Sequence, residues 1–327
     1  MIAALARIPK LLPALLLSAC AAIPFGVPRG TPASPIITSG VFALPDGAHL
    51  PYRIYPAIGP TKTVILALHG YTDSRDGFTY LADALAPDGV TIYAPDQSSF
   101  GATANRGYWP GTATLVDEAR DMALQLRAKY PDTKLYIAGE SMGAAIGILV
   151  GASANSPPVD GYILSAPAVW GGAALNPVYR FMLRMANATI PAKRLTGQST
   201  YIRASDNEAA LLAFGRDPLT IHAPRLDHLA GLVALMGEAQ AACANFNQPA
   251  LILYGGHDQL IPPAAIRRCW QVIPRSAPVT LAYYPPDYHL LLRDNEREIP
   301  DADIAGFLAG AGPASSAPSA ATIFLSN

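Results

Sequence analysis

Ser141 lies in the pentapeptide Gly139-Glu140-Ser141-Met142-Gly143, and its hydroxyl is the side chain best placed to act as a nucleophile. A serine O–H attacks poorly at neutral pH until a base removes its proton, and that base must itself be held in one orientation. Asp258, in Gly255-Gly256-His257-Asp258, and His289, in Tyr288-His289, supply a carboxylate and an imidazole further along the chain. Nucleophile, acid and base therefore occur in the order Ser141, Asp258, His289, the order used with a nucleophile elbow between a strand and a helix. The implied chemistry is acyl transfer. His289 takes the Ser141 proton and later returns it to the leaving group, Asp258 orients the ring and stabilises its charged form, and water resolves the acyl-enzyme. Each partner also has a plainer reading: Asp258 as a turn cap beside glycines, His289 as a polar side chain in a tyrosine-rich loop.

These residues need a scaffold that gathers them at one end. The apolar run 135–138 leads into Ser141, and 142–150 continues as a helix-like segment. Gly139 and Gly143 keep side chains away from the tight turn between them. Further β-rich runs fall at 41–44, 52–55, 63–68, 90–93, 162–164, 251–254 and 279–284, and from the third onward most are separated by helix-length segments. Near-continuous apolar strands need cover on both faces, so the pattern predicts an α/β fold with a mainly parallel eight-stranded sheet. The early pair is expected as an antiparallel edge, and the covering helices near 77–85, 112–129, 142–150 and 264–271. His69-Gly70-Tyr71 follows the strand at 63–68, where its loop can approach Ser141. The oxyanion hole is therefore assigned to the backbone N–H groups of Tyr71 and Met142, with His69 ordering the loop. Asp73, Ser74 and Arg75 could shape the entrance to the site, although charged loop residues usually face water.

The strand rhythm stops over residues 166–245, a stretch too long for a simple crossover. Its apolar members, including Trp170, Tyr179, Phe181, Met182, Met185, Leu229, Leu232 and Met236, are expected in a helical cap above the strand ends, with an ordinary helical subdomain packed against the core as the alternative. The resulting organisation is core at 39–165, cap and return at 166–245, core at 246–309, and a loose Ala-, Ser-, Gly- and Pro-rich tail at 310–327. At the start, Arg7 and Lys10 precede an apolar run at 11–17 and then Ser18-Ala19-Cys20. The run is short for a membrane span and is ordered like an export signal. It resembles the lipobox of bacterial lipoproteins, which implies a signal peptide at 1–19, lipid on Cys20 and a proline-rich tether at 20–38. The expected location is the bacterial cell envelope, anchored at the outer membrane and facing the periplasm. Export would permit a disulfide between Cys243 and Cys269, with two separately buried thiols as the alternative.

Composition sets the outer limits. In 327 residues, 24 acidic side chains balance 23 basic ones, and 51% of the chain is apolar against 14% charged. That excludes a disordered chain and gives no general pull toward nucleic acid. The six histidines are dispersed and no glycine-rich nucleotide turn is present, so neither metal nor cofactor is expected.

Taken together, His69-Gly70, Tyr93-Ala94-Pro95-Asp96, the elbow at 139–143, Gly255-Gly256-His257-Asp258 and Tyr288-His289 before Leu290-Leu291-Leu292-Arg293-Asp294 resemble the α/β-hydrolases of the monoacylglycerol lipase, lysophospholipase and serine-aminopeptidase-like group. The resemblance spans roughly residues 41–308. It implies the same triad, a cap inserted after the sixth strand, and a monoacylglycerol, lysophospholipid or related acyl ester as substrate. Arg216-Asp217-Pro218-Leu219 resembles a cap motif of the group. Many relatives carry Arg-Gly after the aspartate matching Asp96, where this chain has Gln97-Ser98-Ser99, so residues 105–109 are read either as a distinctive rim or as an ordered loop without substrate contact. A serine amidase or aminopeptidase uses the same acyl-enzyme chemistry and stands as the second reading. A non-enzymatic lipid-binding lipoprotein stands as the third.

Overall fold

The computed structural model describes residues 36–172, 175–196 and 202–326. Eight strands form one sheet: β1 Thr38–Ala43, β2 His49–Tyr55, β3 Thr63–Leu68, β4 Val90–Pro95, β5 Lys134–Glu140, β6 Gly161–Ser165, β7 Ala250–Gly255 and β8 Val279–Tyr284. Their order is β1-β2-β4-β3-β5-β6-β7-β8. β1 pairs antiparallel with β2 and β2 with β4, while every later pair is parallel. Val, Ile, Leu and Ala fill β3, every residue of which after Thr63 is fully buried. Such a strand is stable only with helices on both sides.

One face packs against α2 (Thr112–Lys129), α3 (Met142–Ala152) and α7 (Pro263–Val272), and the other against α1 (Thr79–Leu85) and α8 (Glu298–Ala309). This α/β-hydrolase sheet carries a helical insertion between β6 and β7: α4 (Pro177–Thr189), α5 (Glu208–Arg216) and α6 (Leu226–Ala242). Leu235 and Met236 of α6 join the core on the α3 side. The outer part of the insertion is helical but lies open to solvent. Tyr179, Phe181, Met182 and Met185 are exposed, because α4 buries none of its residues.

Two expectations about the ends need correction. The tail is not loose: Ala317–Ser326 forms α9, with Pro318 in its first turn, where a missing N–H costs nothing. Phe324 anchors it, stacked on Tyr283 at 4.6 Å and edge-on to Trp270 at 5.6 Å. Asp303 fixes the preceding turn by accepting from Ser315 N at 2.9 Å. At the other end the leader, Cys20 and the tether up to residue 35 lie outside the described residues, and Thr38, assigned to the tether, already begins β1. No helix among the described residues is long and apolar enough to cross a membrane. The expectation of a membrane-held protein is corrected to that extent, while the signal peptide and the lipid on Cys20 fall outside the described residues.

Cys243 and Cys269 are joined by a disulfide with their Cα atoms 5.4 Å apart, which ties the end of α6 to α7. The bridge closes a loop with a sequence separation of 26. Replacing both cysteines by serine is expected to lower unfolding stability by about 3 kcal/mol through the unfolded chain's regained freedom. Urea unfolding of the double variant checks this, and an unchanged midpoint would contradict it.

Candidate active site

β5 runs through the middle of the sheet and ends at Glu140, so Ser141 emerges at its carboxyl edge. Ser141 has φ 56° and ψ −110°, a left-handed setting rare for a residue with a Cβ. Its N–H donates to Ser165 O at 2.9 Å, and its carbonyl accepts from Ala145 N and Ala168 N, both at 3.0 Å. Glycine is required on either side. A Cβ at Gly139 would strike the backbone of Gly143 and Ala144, and one at Gly143 would strike the Leu68 carbonyl.

Asp258 and His289 follow β7 and β8, which lie beyond β6 in the sheet and run parallel to β5. His289 Nδ1 and Asp258 Oδ2 are hydrogen-bonded at 2.7 Å, with both side chains buried. Gly255 and Gly256 allow this approach, since a Cβ at either would collide with carbonyls of the 285–288 loop. Asp258 also caps its own turn, Oδ1 accepting from Leu260 N at 2.8 Å and Ile261 N at 2.9 Å. The turn-cap and ring-orienting readings thus describe the same carboxylate. With Nδ1 committed to Asp258, Nε2 is the ring nitrogen left for chemistry. Ser141, His289, Gly70 and Tyr71 line one cavity of about 430 Å³. Met142 begins α3, where a first-turn N–H has no partner within the helix.

His69 is fully buried and orders its loop: Nδ1 bonds Gly70 O at 2.8 Å and Nε2 accepts from Gln97 N at 3.1 Å. Gln97 also donates to His69 O at 2.9 Å. Trp109, in the segment 105–109, packs against Gly231 of the cap.

The sequence did not single out the charges beneath the site. Arg293 donates to Asp73 and, at 2.6 Å, to Glu140, and all three side chains are buried. Of the two readings of Asp73, facing water is the one that fails: its side chain is buried and it lines the cavity. The signals were Glu140 beside the serine in a buried turn and Arg293 four residues after His289. Burial pushes the Glu140 carboxyl up; Arg293 opposes this and Asp73 adds to it. Burial also lowers the affinity of His289 for a proton, but the carboxylate of Asp258, with help from Glu140, outweighs it and leaves the ring above its ordinary 6.5.

An acidic side chain orienting a buried imidazole, facing the same cavity as a serine on a strained strand-to-helix turn, is the equipment for acyl transfer. On this fold it belongs to a serine hydrolase of the esterase and lipase kind. The chain is a member of the serine aminopeptidase S33 family, whose profile matches residues 59–296. It is 24% identical over 270 residues to the monoacylglycerol lipase of Mycolicibacterium smegmatis, covering 82% of this chain and 95% of that one. It is also 24% identical over 259 residues to the monoglyceride lipase of Mus musculus, covering 78% and 83%. Among solved structures, a soluble variant of monoglyceride lipase from Saccharomyces cerevisiae in complex with a substrate analogue aligns with a TM-score of 0.69 at 19% identity, over 88% of this chain and 98% of that one.

The imidazole must be neutral to accept a proton, so kcat/KM is expected to rise with pH through a midpoint above 6.5. Glu140→Gln removes one negative charge from the field at His289 and should move that midpoint down. A pH–rate profile of the variant gives the answer, and an unmoved midpoint would remove Glu140 from that field.

Proposed function

We propose that this chain hydrolyses monoacylglycerols and related neutral acyl esters through an acyl-enzyme on Ser141. The observation that carries this is the cavity. Leu211, Phe214, Leu229, Leu232 and Met236 give it an apolar wall, Ser141 and His289 stand at its polar part, and no lysine or arginine is among its described lining residues. An acyl chain matches such a wall, because burying methylenes releases about 0.8 kcal/mol each. A phosphate headgroup would find no cation there, which favours a glycerol headgroup over that of a lysophospholipid.

In the first half-reaction His289 Nε2 takes the Ser141 proton as Oγ attacks the ester carbonyl carbon. The oxyanion is held by the N–H groups of Tyr71 and Met142. As the tetrahedral intermediate collapses, the C–O bond to the alcohol breaks and the imidazolium protonates the leaving oxygen. In the second half-reaction His289 deprotonates water, which attacks the acyl carbon, and as the bond to Oγ breaks the imidazolium gives that proton to Oγ, freeing the fatty acid and restoring Ser141 and the neutral ring. Asp258 keeps Nδ1 protonated and steadies the positive ring throughout.

Ser141→Ala is expected to reduce kcat by at least about 10⁴-fold while leaving the thermal midpoint nearly unchanged. The wild-type enzyme should show higher kcat/KM for a monoacylglycerol than for a lysophospholipid of the same chain. Profiling matched acyl esters and aminoacyl amides on both proteins tests the reading. A preference for the amide would make the chain an aminopeptidase instead.

A further inference from the structure

The loop after β3 carries Tyr71, whose backbone N–H is one of the two donors assigned to the oxyanion, yet the cap holds its side chain. The Tyr71 hydroxyl and His228 Nδ1 are hydrogen-bonded at 2.9 Å, with ring centroids 5.1 Å apart. His228 is the third residue of α6 and is fully buried. Phe100 at 5.0 Å and Trp109 at 5.6 Å enclose its ring, and Phe100 packs edge-on to Tyr71 at 6.2 Å. Burial pushes the imidazole down to about 4, so it is neutral at ordinary pH. Among the described residues its Nε2 has no partner and the Tyr71 hydroxyl is its polar contact.

The same short loop is under strain. Thr72 sits at φ 65°, a setting that persists in a β-branched residue only where neighbours fix it. The cap provides those neighbours. Ile221 N donates to Thr72 O at 2.9 Å, and Ser74 Oγ donates to Asp217 Oδ2 at 2.9 Å. Arg106 completes the junction by donating to the carbonyls of Pro218 and Thr220.

We infer that His228 is a positioning residue: through the Tyr71 hydroxyl, the cap sets the direction of the Tyr71 backbone N–H and so the strength of the oxyanion hole. This rests on the proposed serine-esterase reading and adds to it a residue that touches neither the substrate nor the reacting atoms.

Two variants probe one bond. Tyr71→Phe removes the hydroxyl and keeps the packed ring, whereas His228→Leu removes the imidazole partner and keeps the cage filled. With a short, soluble p-nitrophenyl ester, each is expected to lose about tenfold in kcat with KM held within about twofold, because a misdirected donor weakens the transition state more than the ground state. The double variant should lose no more than the worse single one, since both act through the same contact. An alkylboronic acid, which becomes tetrahedral on Ser141, should bind correspondingly more weakly, while a fatty acid of matching length binds as before. A merely structural role would lower the thermal midpoint and weaken both ligands together, and that result overturns the inference. So does a Tyr71→Phe enzyme with wild-type kcat and boronate affinity, or losses that multiply in the double variant. Ser141→Ala run alongside separates the two levels. If it still turns over the ester, the serine-hydrolase mechanism fails, whereas an inactive Ser141→Ala beside an unaffected Tyr71→Phe removes only the role of His228.

Discussion

The left-handed backbone at Ser141 is the constraint around which the site is arranged. Such a conformation costs on the order of 1–3 kcal/mol and survives only where the surroundings over-determine it. Here the surroundings are β5 and its neighbours β3 and β6, with Gly139 and Gly143 letting the elbow close against its own helix and against the end of β3. A slip of the elbow would break the bonds from Ser141 to Ser165, Ala145 and Ala168 together. The strained residue is therefore also one of the most firmly held, and the hydroxyl is presented without waiting for substrate to order it.

Most of the cavity wall is apolar, and the two carboxylates that line it, Asp73 and Glu140, are both paired with Arg293. Asp73, Glu140 and Arg293 are buried together, and a buried cation shared by two carboxylates gains stability only if its geometry is good. The cluster ties the loop after β3, the elbow and the segment after His289 to one guanidinium. Three loops that each deliver part of the site are thus fixed relative to one another from below. Glu140 also reaches His289 electrostatically, so the cluster that braces the loops tunes the base as well.

Much of this was legible in the sequence because it is written in local rules. β3 and β8 are apolar or β-branched runs whose bounds were found outright, and Ser141, Asp258 and His289 are placed by strand ends. What was not legible depends on distant partners. Asp73 looks like an ordinary loop carboxylate until Arg293 is folded beneath it. Tyr179, Phe181, Met182 and Met185 are apolar at helical spacing, which says that a face exists but not which way it points. α9 was hidden by a composition that suits a loose tail, since one aromatic residue, Phe324, carries most of its anchoring. His228 carries no motif at all, and only its meeting with Tyr71 across 157 positions gives it meaning.

The covalent tie between α6 and α7 divides the insertion into unequal halves. α6 supplies Leu229, Leu232 and Met236 to the cavity and His228 to the junction, yet its far end is bonded to a helix of the sheet scaffold. For exchanging insertions between relatives, the natural cut falls before Arg225 rather than at the start of β7. A graft taken across the whole segment would sever the crosslink and replace the whole insertion's share of the cavity wall, whereas one ending ahead of α6 keeps the crosslink, His228 and the α6 side of the wall and exchanges the side supplied by Leu211 and Phe214.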